Sequence, residues 1–154
     1  MDSKALSFLM FRAVRGVIRR AQSGDLPLFA CTLGLPFDQY LAMMAYYFPE
    51  HLADDECSEA RFTLLQANMP ADFSRVLDKI LSLCADAENP QLTQWLAHAI
   101  ASAAYGEQAL WESMELANAL QLQALLACRF PQWSMLKCGV MGWQASLLEH
   151  APYP

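Results

Sequence analysis

Apolar residues recur at helical spacing along almost the whole chain. Leu6, Leu9, Met10, Ala13, Val14, Val17 and Ile18 make one stripe, with Ser3 a candidate cap and Gly24 a stop, which predicts a first helix to about Ala21. Pro27 suits the first turn of a short helix that stops at Gly34, and Pro36 opens another that runs to Phe48. The acidic segment Glu50–Glu59 reads as a loop. A helix around Ser58–Asn68 follows and breaks at Pro70. Asp72 begins the next, with Phe73, Val76, Leu77, Ile80, Leu81 and Cys84 on one side. Asn89-Pro90 is a strong start for a helix with apolar positions from Leu92 to Tyr105. Further helices are predicted over Gln108–Leu116, Leu120–Phe130 and Trp133–Glu149. Strand alternation with turn dipeptides does not occur. The prediction is an all-α fold, a compact bundle of about seven to nine mostly short helices in one domain spanning residues 1–154.

Two stretches of equal length repeat one another. Residues 28–49 laid over residues 110–131 bring Leu, Gln, Ala, Ala, Phe and Pro into coincidence at 28/110, 39/121, 42/124, 45/127, 48/130 and 49/131. Each is a short helix, a turn at LGL or MEL, and an amphipathic helix ended by Phe-Pro, where proline disfavours further α conformation for the residue before it. The weak repeat predicts two similar helix–turn–helix corners around one core. Two ordinary helix pairs with chance matches in an alanine- and leucine-rich chain are the other reading.

Composition sharpens this picture. Apolar residues make up 55% and charged residues 17%, respectively above and below the roughly 45–50% and about 25% of an average domain. Such a surface predicts a protein partner or a homo-oligomer. The net charge of −6 is unevenly spread: residues 1–20 carry Lys4, Arg12, Arg15, Arg19 and Arg20 against Asp2 alone. The rest of the chain is strongly acidic and repels phosphate backbones, so nucleic acid is not an expected partner. Leu26–Pro49 has a single charge, Asp38, but its prolines and Gly34 cut it into pieces too short for a transmembrane segment. No secretory signal is visible, and the expected location is the cytoplasm.

The candidate chemistry is sparse. Cys31, Cys57, Cys84, Cys128 and Cys138 form no CxxC or CxH motif and read as reduced thiols, with Cys128 and Cys138 expected to be buried around the Phe-Pro turn. His51, Asp54, Asp55 and Cys57 gather imidazole, carboxylate and thiolate donors and are weak metal-ligand candidates; a solvated acidic loop between helices is the favoured reading. Glu112 and Glu115 share a predicted helix face with Gln108, an arrangement open to a carboxylate pair. His98 lies beside the apolar face of its helix and reads as a satisfied core or boundary histidine. No nucleophile–base pair and no phosphate loop is present, so no catalytic residue is assigned and enzymatic activity is not expected. The basic face of the first helix (Lys4, Arg12, Arg15 and Arg19, with Phe8 and Phe11) is the candidate partner-binding surface; a core helix with a charged solvent side is the alternative.

Trp95-Leu96-Ala97, Ile100-Ala101, then Leu110-Trp111-Glu112-Ser113-Met114-Glu115-Leu116 resemble the central motif of the nitrogen-fixation protein NifQ family, in which a WLA…IA helix precedes a His-Leu-Trp-x-x-Leu-Gly-Leu turn. Phe130-Pro131, Met141 and Trp143 fall at the spacing of that family's Phe-Pro…Met-x-Trp segment, so the resemblance covers Gln94 to Leu148. It implies structural roles for Trp95, Leu110, Trp111, Leu116, Phe130, Pro131, Met141 and Trp143, and a link to molybdenum delivery for nitrogenase cofactor assembly. There are departures. Ala109 stands where the family has histidine, and Lys137 where it has asparagine. The family's four closely spaced C-terminal cysteines, which hold an iron–sulfur cluster carrying molybdenum, have no counterpart after Cys138 in this sequence. No cluster ligand is therefore carried over and no cofactor is expected, except an iron–sulfur or molybdenum group with ligands from a partner. The resulting expectation is a non-enzymatic adaptor or accessory protein that has lost the metal-cluster tail; metal trafficking or cofactor maturation linked to nitrogen fixation is the alternative.

Overall fold

A computed structural model describes residues 3–51, 58–82, 84, 90–106 and 108–130. The fold is all-α. Its described elements run α1 (Ser3–Gln22), a 3₁₀ turn (Leu28–Thr32), α2 (Phe37–Tyr47), a 3₁₀ turn (Pro49–His51), α3 (Glu59–Gln66), α4 (Phe73–Ser82), α5 (Pro90–Ala103), α6 (Leu110–Ser113) and α7 (Ala119–Arg129). The predicted helix over 133–149 lies outside the described residues.

Two helices make the centre. α1 buries Leu9, Met10, Ala13, Val14, Val17, Ile18 and Ala21, the stripe read from the sequence. α5 is different: every residue from Trp95 to Ala103 is buried, which a helix achieves only when neighbours surround it. Its alanines at 97, 99, 101 and 103 keep it thin enough for α1, α4 and the first 3₁₀ turn to pack close on several sides. α3 covers the 3₁₀ turn and α7 lies against α1. Helix starts follow local chemistry where a side chain can help. The Ser58 hydroxyl accepts from the Arg61 amide and the Asn118 carbonyl oxygen from the Gln121 amide.

The predicted helix over Gln108–Leu116 is corrected to the four residues Leu110–Ser113. Glu115 takes a left-handed backbone with φ of 55°, which an α-helix cannot include. The shortening also removes the shared face proposed for Gln108, Glu112 and Glu115.

Positions 82 residues apart have closely matching backbones. Pro27 and Ala109, ahead of the short helices, have φ/ψ of −57°/150° and −59°/147°. Leu33 at φ 53° corresponds to Glu115 at φ 55°. Phe48 and Phe130 close the longer helices at −137°/60° and −131°/63°, each amide bonding back to the carbonyl four residues earlier, Met44 and Leu126. The two left-handed turns are held from outside their own corners. The His98 ring on α5 meets the Leu33 carbonyl at 2.8 Å, and Arg12 on α1 donates to the Glu115 carbonyl, also at 2.8 Å. Each bond offsets part of the roughly 1–2 kcal/mol that a left-handed non-glycine residue costs.

Candidate functional site

The basic face of α1 is partly consumed by the fold. Arg12 is tied to Glu115 as described, and the half-buried Arg15 lies over the rings of Phe11 and Phe48, 5.3 and 4.7 Å from their centroids, with Glu50 3.7 Å away. Arg20 pairs with Asp25 at 3.2 Å. Lys4 and Arg19 are exposed. Lys4 borders an open groove of about 660 Å³ between α1 and α7, whose other walls include Phe8, Leu120, Gln121 and Ala124. Phe8 and Leu120 are 61% and 72% exposed there.

A second depression, about 620 Å³, lies where the turn after the first 3₁₀ segment meets α2, α4 and α5. Leu35, Phe73 and Leu77 supply apolar wall, Gln39, Gln94 and Ser74 supply neutral polar groups, and His98 joins the lining from α5. The turn is packed tightly. A Cβ on Gly34, at φ 65°, would sit 2.5 Å from the Phe73 ring, so glycine allows both the left-handed backbone and the close approach of α4. Gln66 reaches across from α3 to donate to the Leu35 carbonyl at 2.6 Å and the Thr32 hydroxyl at 3.0 Å. The Thr32 hydroxyl in turn donates to the Phe29 carbonyl at 2.7 Å.

His98 is 6% exposed. The Leu33 carbonyl can only accept, so the bond to Nδ1 assigns the proton to Nδ1. Burial lowers the ring's pKa below its usual value, outweighing the upward pull of the carbonyl bond. The imidazole is therefore neutral at pH 7 and carries its lone pair on Nε2. Just before α4, Asp72 accepts a hydrogen bond at 2.7 Å from the hydroxyl of Tyr105, which follows α5; burial first, and that carboxylate second, push the phenol pKa well above its ordinary value.

The remaining sequence candidates are scattered. Trp95, Leu110, Leu116 and Phe130 are buried in the core and Trp111 packs partly buried against it. Pro131, Met141, Trp143 and Cys138 lie outside the described residues, as do Asp54, Asp55 and Cys57; His51 ends the second 3₁₀ turn. Cys31 is buried and Cys84 half-buried, but Cys128, expected to be buried, is exposed. α7 turns Leu122, Leu125 and Leu126 inward, which leaves Cys128 on the solvent side. Among the described residues no three His, Cys, Asp or Glu side chains come together as a metal-ligand group. Likewise no described helix is long and apolar enough to cross a membrane.

The sequence reading missed the cleft. Gly34 was a visible turn signal, yet nothing in the local pattern showed that Gln66, Phe73 and His98 converge on it from three other elements.

Comparison with protein families gives a match to the NifQ family over residues 13–149. No curated protein and no solved structure matches the chain.

Proposed function

The chain belongs to the NifQ family, and from that premise we propose that it acts as a non-enzymatic accessory protein that docks on an acidic partner protein. The family is linked to molybdenum handling in nitrogen fixation. The docking reading rests on one observation, the groove between α1 and α7 with Phe8 and Leu120 exposed beside Lys4. Its apolar side chains fit the centre of a small interface and its lysine the polar rim. Lys4 is the charged residue that lines the groove, so the complementary surface is an apolar side chain with a carboxylate beside it.

The test has two arms. In a nitrogen-fixing bacterium lacking the native gene, the parent chain restores the molybdenum content of nitrogenase, whereas the Phe8→Asp/Leu120→Asp variant, folded by circular dichroism, does not. Equal restoration by both rejects the docking surface. Metal analysis and visible absorption of protein purified without oxygen form the second arm. A colourless protein agrees with the accessory role; stoichiometric iron and molybdenum on the purified chain would instead make it a carrier.

A further inference from the structure

We propose that the cleft between α2, α4 and α5 binds a small uncharged molecule with an apolar body and an N–H or O–H group that donates to His98 Nε2. This stands apart from the α1–α7 groove and does not depend on it. The donor requirement follows from the Leu33 carbonyl, which holds the proton on Nδ1 and leaves Nε2 able only to accept. His98 lines the cleft, and with its ring held at Nδ1 by the Leu33 carbonyl the imidazole is already ordered, so a ligand that donates to the remaining nitrogen pays little entropic cost.

The described lining selects against ions. Its side chains are neutral: Gln39 and Gln94 present amides, Ser74 a hydroxyl, Phe73 and Leu77 apolar surface. A neutral ring that keeps a lone pair on its second nitrogen offers an oxyanion no donor there, and the described lining has no lysine or arginine to attract one. A single imidazole without carboxylate or thiolate companions is a poor metal site. What remains is the common small-molecule pattern of apolar walls with a few placed polar groups, at a volume of about 620 Å³ that suits such ligands.

Indole and benzofuran test this, because they match in size and shape and differ chiefly in the N–H. Titration of the full chain above pH 7 should show indole binding roughly three- to tenfold more tightly, the worth of one neutral hydrogen bond. In the unaltered protein, the ¹⁵N resonance of His98 Nε2 should move with indole and stay with benzofuran, and molybdate should leave it unmoved. Leu77→Trp, which fills the cleft and spares the histidine, should abolish binding of both. Equal affinities, an unmoved Nε2 resonance under saturating indole, or displacement of indole by molybdate would each overturn the proposal.

Discussion

Gly16 lies in the middle of α1, where helix propensity alone says alanine should be better by about 1 kcal/mol. The structure predicts the reverse. A Cβ at this position would lie 2.7 Å from the Met114 carbonyl carbon and 2.9 Å from Glu115 Cβ. The first of these is backbone and cannot rotate away, so α1 and the turn after α6 would have to separate. Overpacking of this kind costs about 1–3 kcal/mol. The separation also stretches the 2.8 Å bond from Arg12 to the Glu115 carbonyl, worth about 0.5–1.5 kcal/mol. Set against the propensity gain, Gly16→Ala should destabilise the protein by about 2 kcal/mol, or roughly 4–8 °C in Tm for a chain of this length. Thermal and urea unfolding followed by far-UV circular dichroism measure it. Gly24→Ala is the control: its φ of 88° is strained for alanine but its Cβ meets open space, so it should lose only the left-handed penalty of about 1–2 kcal/mol. A Gly16→Ala protein as stable as the parent, or more so, refutes the close packing of α1 on the Met114–Glu115 turn.

Other outcomes follow from the same geometry. Gly34→Ala combines a left-handed backbone with a clash against Phe73 and should cost more than Gly24→Ala in the same unfolding assay. His98 has a folded pKa below its unfolded value near 6.5, so the unfolded chain takes up the proton first and stability should fall as pH drops below about 6.5. Urea midpoints should show a shallower acid loss in His98→Gln, and identical slopes would count against a buried neutral ring. Tyr47 and Tyr105 have phenol pKa values raised mainly by burial; ultraviolet titration of Tyr47→Phe and Tyr105→Phe against the parent should show that each of these phenols ionises later than an exposed tyrosine while the fold persists. Removing the caps with Ser58→Ala and Asn118→Ala should cost about 1 kcal/mol each in denaturant melts.

Much of the fold was legible because its causes are local. The α1 stripe, the caps and stops at Ser58, Gly24, Pro36 and Pro90, and the Phe-Pro helix ends all depend on residues within a turn or two of one another. The error at Gln108–Leu116 arose where they did not. Glu115 has no glycine-like signal, and its left-handed backbone is held by Arg12, more than a hundred residues away. The basic face illustrates the same boundary. The spacing of Arg12, Arg15 and Arg19 placed them on α1, but only packing tied Arg12 to a backbone carbonyl and Arg15 to Phe11 and Phe48.

The sequence by itself determined an all-α chain, the approximate bounds of most helices and the family motifs around Trp95 and Trp111, since periodicity, capping and proline act over short range. Tertiary structure alone decided that α5 is buried from Trp95 to Ala103, that Gly16 must stay small, that Cys128 faces solvent, and that His98 is neutral with its lone pair on Nε2. Those properties arise from burial and from hydrogen bonds between residues distant in the chain, and no local pattern encodes which carbonyl a given histidine will meet.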